Sequence, residues 1–470
     1  MHFKSLPIEI PDDDPFSNDK LDRKEYVETL SNFVSKLNGP FVLAINSPWG
    51  TGKSTLIDMW RKYLHQNNHV TIYFNAWETD FSSSPLVSFI GEVTRSLKEL
   101  PGKKTDITKI LDKTKSLTTS IVRHSVPAAI KAVTFGAVDT KEIYEEIASE
   151  AAENISKDLV DAYLENRSKI NEFHETLEKA FDWATSKEKK SPILIFVDEL
   201  DRCRPSYAIE LLENIKHLFN TKNAIFILAI DKSQLNVSLA SVYGAGIDAT
   251  EYLRRFIDLE FVLPNPNNKQ FLTESIKKFG LSEYFSNKVN QLKGEEGELV
   301  SILHKLFEIF ELTPRAREHC ISRIAVAASN TPENYYFYPD LAAILTVLRT
   351  ANSKSSKMFH DYINHKLPTS EIISYIRALP KGNKFMESNH GMWLEGVLIG
   401  ARAGRNEDSD ELESYRIIVN AQDSTEEHKA RARRVLEFAK RDFHGSKYAS
   451  LKVMMARLEL IQLKEERPDW

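Results

Sequence analysis

Cysteine is nearly missing from this chain: 470 residues contain only Cys203 and Cys320, neither in a CxxC or Cys/His cluster. That excludes a disulfide framework and leaves a structural zinc site without ligands, so the expected compartment is a reducing one, the cytoplasm. Helix breakers are also scarce. Glycine (17) and proline (18) together make about 7% of the chain, against roughly 12% in average proteins, which predicts a helix-rich fold. Long apolar runs are lacking too, and residues 1–16 hold none that would serve as a signal peptide. The best membrane candidate, residues 117–138, carries Arg123, His124 and Lys131 and is interrupted by Pro127. A span needs about 20 mainly apolar residues, so no membrane crossing is expected. Charge of one sign is missing as well: 62 basic side chains against 67 acidic ones give a net charge of -5, and no chain-wide case for nucleic acid.

What is present is ordinary soluble composition, 42% hydrophobic and 27% charged. At roughly 100–200 residues per domain, 470 residues make two to four domains. Five short apolar runs read as buried strands: residues 41–45 (FVLAI), 70–74 (VTIYF), 193–197 (ILIFV), 225–230 (IFILAI) and 257–263 (IDLEFVL). They lack polar alternation and are separated by helix-length stretches, which predicts an α/β fold with a mainly parallel sheet. The gap between the second and third runs is the longest. Within it Ile155, Leu159, Tyr163, Ile170, Phe173, Leu177 and Phe181 fall near helical spacing, which reads as long helices, either a projecting hairpin or packing on the core. After Pro264-Asn265-Pro266 the strand pattern stops. The expected domains are residues 1–265 (helical insertion about 100–185), a small helical lid at 266–350 with a soft edge near 328–332, and a helical domain at 351–470 with breaks at Gly382, Gly391 and 406–410.

The first strand runs into Ser47-Pro48-Trp49-Gly50-Thr51-Gly52-Lys53-Ser54-Thr55 and then a helical stretch, the context of a Walker A phosphate loop. Its backbone N–H groups and helix N-terminus suit phosphate, Lys53 can reach the β and γ phosphates, and the Ser54 hydroxyl can ligate Mg²⁺. The strict pattern has glycine where Ser47 stands. The third strand ends in Asp198-Glu199-Leu200-Asp201-Arg202, a Walker B arrangement. Here Asp198 would hold Mg²⁺ through water and Glu199 would orient or deprotonate the attacking water. Asp201 and Arg202 are open between pairing with each other and lining the nucleotide edge. Asp231, ending the fourth strand, is either a γ-phosphate sensor or a helix cap. Arg254 and Arg255, just before the fifth strand, are either trans-acting arginine fingers or surface ion-pair partners. Arg315, opening a helix after Thr313-Pro314, is either a lid arginine or a packing residue.

This set resembles the KAP family of P-loop NTPases over about residues 15–350. SPWGTGKST is similar to the family's WGxGKS loop, and Phe74-Asn75-Ala76-Trp77 matches its FNAW motif. Asp198-Glu199-Leu200-Asp201-Arg202-Cys203 resembles its DDLDRC box with Glu199 in place of the second Asp, and Tyr252-Leu253-Arg254-Arg255 resembles its YLxK-like segment. Asp19-Lys20-Leu21-Asp22-Arg23 adds a weak similarity. The resemblance implies ATP and Mg²⁺ as ligands and the sheet order 5-1-4-3-2, with the phosphate-loop strand counted first. It also implies a segment inserted between the Walker motifs. Bacterial members are associated with mobile elements and phage exclusion, whereas animal relatives are membrane signalling scaffolds. From their position, Asn75 and Glu78 are expected near the phosphates, and Trp77 is expected to pack.

Residues 428–452 concentrate Lys429, Arg431, Arg433, Arg434, Lys440, Arg441, Lys447 and Lys452 against Glu437 and Asp442. This reads either as a solvated helix face or as a nucleic-acid or partner surface. Three functions compete: a Mg²⁺-dependent ATPase, bacterial and soluble, working as a homo-oligomer with a partner effector in anti-phage defence; a nucleotide-gated scaffold of negligible turnover; and a nucleic-acid-stimulated motor.

Overall fold

Every residue of the strand Ala224–Ile230 is buried, and the reason is that both faces of the sheet are covered. The structure is a computed structural model and describes residues 8–37, 39–101, 104–124, 152–185, 189–218, 221–264, 269–288, 294–404, 409–443 and 451–459. The chain divides into a unit of residues 8–264 and a C-terminal unit from residue 265 onward.

In the first unit the order is α1 (Lys24–Val34), β1 (Phe41–Asn46), α2 (Lys53–Gln66), β2 (His69–Asn75), α3 (Pro85–Glu99), α4 (Lys104–His124), α5 (Ala152–Thr185), β3 (Lys190–Asp198), α6 (Pro205–Leu218), β4 (Ala224–Ile230), α7 (Lys232–Tyr243), α8 (Ala249–Leu253) and β5 (Leu259–Val262). The strands form one five-stranded sheet, β2-β3-β4-β1-β5, the expected order read from its other edge. All pairings are parallel, with Leu43 opposite Ile227 and Leu259 and Val197 opposite Phe74 and Leu228. Successive strand side chains point to opposite faces. Leu43, Ile45, Leu194, Phe196, Ile225 and Ile227 therefore pack against α1 and α2, while Ile72, Phe74, Ile193, Ile195, Phe226 and Leu228 form the other face's core. In α2 the spacing of Leu56, Ile57, Trp60 and Leu64 gives one apolar stripe, and Trp60 meets Phe196 edge-on at 5.3 Å.

Of the two readings of the insertion, its described side chains support packing on the core. Ile107, Leu111, Leu117 and Ile121 of α4 and Phe173, Leu177 and Phe181 of α5 belong to the same core as the sheet's second face. An ion pair, Lys113 to Glu172 at 2.6 Å, links the two helices. The side chains at Ile155, Leu159 and Tyr163 and the stretch 125–151 lie outside the described residues. Among the described residues no helix is long and apolar enough to cross a membrane.

The C-terminal unit is helical and includes α9 (Glu295–Ile309), α10 (Pro314–Ser329), α11 (Pro339–Ala351), α12 (Asn389–Ala403), α13 (Asp410–Asn420) and α14 (Glu426–Phe443). One core runs from Leu272 to Leu458 with α11 at its centre, crossing position 350 without a break. Gly391 is not a break either. It sits in the first turn of α12, where a Cβ would lie 2.2 Å from the Phe385 carbonyl oxygen, so close packing is what requires glycine. A buried ion pair, Lys288 to Glu295 at 2.6 Å, is completed by the Tyr335 carbonyl and the Phe337 N–H.

Candidate nucleotide site

Residues 47–52 join β1 to α2 at the carboxyl end of the sheet, and two glycines make the turn possible. Gly50 and Gly52 have φ of 80° and 90°, a region open to glycine at little cost. Ser47 has no positive φ, which is why a serine is tolerated where the strict motif has glycine. Its N–H donates to the Ile230 carbonyl at 3.1 Å and its hydroxyl to the Leu263 carbonyl at 3.3 Å, so the loop is anchored to both neighbours of β1.

Lys53 opens α2, and its ammonium donates to the Ser47 carbonyl at 2.5 Å and the Pro48 carbonyl at 3.3 Å. Burial pulls the ammonium below its ordinary pKa, and the carboxylates Asp201, Asp231 and Asp198 oppose that pull. A buried cation at the N-terminus of a helix suits phosphate oxygens. Burial raises the Asp198 carboxylate above the usual carboxylate range, the neighbouring Ser54 hydroxyl opposes that rise, and Asp198 accepts from the Glu199 N–H at 2.8 Å and from the Tyr73 hydroxyl at 3.4 Å. Hydroxyl and carboxylate are hard oxygen donors that fit Mg²⁺, which keeps most of its shell as water and phosphate oxygens. Among the described residues there is no cluster of three or more His, Cys, Asp or Glu that could hold a metal ion, and a magnesium carried largely by nucleotide phosphates needs none.

Several expectations change in detail. Asp231 serves two elements: Oδ1 caps α7, accepting from the Ser233 and Gln234 N–H groups, and Oδ2 accepts from the Trp49 N–H at 3.2 Å. Asp201 and Arg202 do not pair with each other. Asp201 accepts from the Trp49 indole N–H, whereas Arg202 Nη1 lies 2.6 Å from Glu199 Oε1. Glu199 adopts the left-handed region, φ 60° and ψ 22°, which is strained for a residue with a Cβ. Asn75 reaches Glu199 Oε2 at 3.3 Å, while its own Oδ1 accepts from the N–H groups of Trp77 and Glu78. Trp77 does not pack: it is 52% exposed, with the Arg202 guanidinium 5.5 Å from its ring centroid. Glu78 is exposed.

Thr51 is buried, donating its hydroxyl to the Pro48 carbonyl at 2.9 Å, and Thr55 follows Ser54 in the first turn of α2. Arg254 is exposed and pairs with Glu251 at 2.7 Å, and Arg255 lies over the Tyr252 ring. Arg315 is exposed in the first turn of α10, in the C-terminal unit. Sequence reasoning undervalued Arg23. It is 2% exposed and donates to the Thr51 carbonyl at 2.9 Å and the Pro264 carbonyl at 3.2 Å, bracing the loop from behind. Its signal was the weak DKLDR similarity. Cys203 and Cys320 are buried free thiols, each pushed up to about 12 by burial, which removes them from nucleophilic chemistry at neutral pH.

In the basic C-terminal segment, Arg431 turns inward to pair with buried Glu395 at 2.5 Å, whereas Arg433, Arg434, Lys440 and Lys452 are exposed. The side chain of Arg441, and Lys447 altogether, lie outside the described residues.

Among solved structures, the chain is similar to that of the Aeropyrum pernix ORC2 protein in its ADPNP–ADP complexes, at 11% identity and a TM-score of 0.33, over 94% of this chain and 86% of that one. No curated protein matches the sequence. The profile of the KAP family P-loop domain matches residues 23–328, which take in the loop, both acidic strand ends and every strand of the sheet. With that match over more than half its length, the chain belongs to the KAP family of P-loop NTPases.

Proposed function

We propose that the protein is a Mg²⁺-dependent ATPase that couples nucleotide state to conformational change or assembly. One observation supports this most: a buried Lys53 at the start of α2 with Asp198, Asp201 and Asp231 around it, and Glu199 directly after the buried Asp198. Lys53 and the loop N–H groups hold the β and γ phosphates. Ser54 and Asp198 hold the magnesium, which supplies charge neutralisation at the phosphate oxygens. Glu199 takes the proton of a water whose oxygen bonds to the γ phosphorus. The bond from that phosphorus to the bridging oxygen breaks, and its electron pair leaves with ADP. Arg254 and Arg255, both exposed, are offered as fingers acting on a neighbouring copy, and Arg315 as a lid contact. We take a role in phage defence, through the assembly or a partner effector, from the association of bacterial family members with phage exclusion.

The test is ATP turnover of the purified chain with and without Mg²⁺, beside Lys53→Ala and Glu199→Gln. Both variants are expected to lose roughly 10²–10⁴-fold in turnover while Glu199→Gln still binds ATP. Tight binding without turnover in the parent chain replaces the enzyme by a nucleotide-gated scaffold, a reading favoured by the Arg202–Glu199 ion pair, which occupies the carboxylate.

A further inference from the structure

Glu199 is held at both ends. Oε1 is paired with Arg202 at 2.6 Å and Oε2 accepts from Asn75 at 3.3 Å, while the left-handed backbone at Glu199 aims the side chain at these partners. Asn75 is itself fixed, because its Oδ1 carries the turn through Trp77 and Glu78. A general base must hydrogen-bond the water it acts on, and here one carboxylate oxygen is turned to a guanidinium and the other to an amide, so a change of partner has to come first. Arg202 is the movable member. Its side chain is 30% exposed, its guanidinium lies over the half-exposed Trp77 ring, and the adjacent Asp201 accepts from the Trp49 indole N–H, so the segment that carries Arg202 touches the phosphate loop.

Resting on the ATPase reading above, we infer that Arg202 is a positioning residue that exchanges partners: it latches Glu199 when no γ-phosphate is present and transfers to the γ-phosphate when a nucleoside triphosphate binds, releasing Glu199 to act on water. Glu199 and the terminal phosphate thus compete for one guanidinium. Asn75 keeps the released carboxylate from swinging away, which gives the FNAW motif a task in setting the base. A diphosphate offers no competitor, so the latch stays closed after hydrolysis and phosphate release.

The competition is read by equilibrium binding of a non-hydrolysable ATP analogue and of ADP to the full chain in Mg²⁺, for the parent, Arg202→Ala, Arg202→Lys, Glu199→Gln and the Glu199→Gln/Arg202→Ala pair. Arg202→Ala is expected to weaken the analogue roughly tenfold while leaving ADP unchanged, with partial recovery in Arg202→Lys. Glu199→Gln is expected to bind the analogue several-fold more tightly than the parent, because its rival for Arg202 is gone, and to lose that gain in the double variant. Trp77 fluorescence, isolated by difference against Trp77→Phe, is expected to change with the analogue and not with ADP. An unchanged analogue-to-ADP ratio in Arg202→Ala, in a parent whose binding Lys53→Ala abolishes, overturns the exchange while leaving the nucleotide site standing. A parent that binds neither nucleotide overturns both readings.

Discussion

Arg23 spends its guanidinium on backbone carbonyls, those of Thr51 and Pro264, and so ties the phosphate loop to the end of β5. Burial lowers its pKa, and the nearby Asp19, Tyr26 and Asp22 oppose that pull. Removing it leaves two carbonyls without their charged donor. Arg23→Met is therefore expected to cost about 2–4 kcal/mol of stability, read by urea denaturation, and to weaken nucleotide binding measured in the same preparation. A stability loss with unchanged affinity would reduce Arg23 to a staple with no hold on the loop's shape. Ser47 makes the complementary point. Its departure from the motif strains no backbone, because the chain there needs no positive φ.

Among the elements, α14 shows why a run of charge is a poor guide to a binding face. Its own Val435 and Ala439 pack inward with Ile399 and Leu412, and Arg431, a few residues from Arg433 and Arg434, turns inward to Glu395, which also accepts from the Tyr415 hydroxyl, and to the Met386 carbonyl. Arg431→Ala strands a buried carboxylate and is expected to cost about 3–5 kcal/mol. Arg433→Glu with Arg434→Glu, on exposed positions, should shift stability by only about 0.5 kcal/mol per substitution. Thermal unfolding of the two variants checks the contrast. Any test of nucleic-acid stimulation belongs on the exposed pair, since a loss at Arg431 would report on folding. The helical insertion carries the same lesson: helical spacing at Ile170, Phe173, Leu177 and Phe181 was legible, but its destination was the sheet's own core.

At the scale of the whole molecule the open question is assembly. Arg254 is held by a pair in which both side chains are more than 60% exposed, worth about 0–1 kcal/mol, so a phosphate on a neighbouring copy would displace Glu251 easily. If these arginines act in trans, specific activity rises with protein concentration, and Arg254→Ala with Arg255→Ala lowers turnover roughly 10³-fold while leaving nucleotide affinity intact. Turnover strictly proportional to protein concentration, with the double variant fully active, would remove both from the reaction. Sedimentation run beside the assay relates the activity to the species present.

The sequence by itself determined β1 to β4, because residues buried on both faces of a parallel sheet must be apolar in an unbroken run; β5, expected as a buried strand, is an edge strand whose Leu259 and Val262 are exposed. It also determined the phosphate loop and the acidic strand end, where strand, turn glycines and helix start are adjacent in the chain. The tertiary structure decided what those groups touch. Arg23 meets Pro264 across 241 positions and Trp49 meets Asp201 across 152, separations over which no local periodicity carries information. Even Arg202 and Glu199, only three residues apart, pair because the left-handed turn at Glu199 redirects its side chain. Local pattern fixes which residues are buried and where the chain turns. Partner choice among buried polar groups depends on which carbonyls and carboxylates the packed sheet leaves within reach.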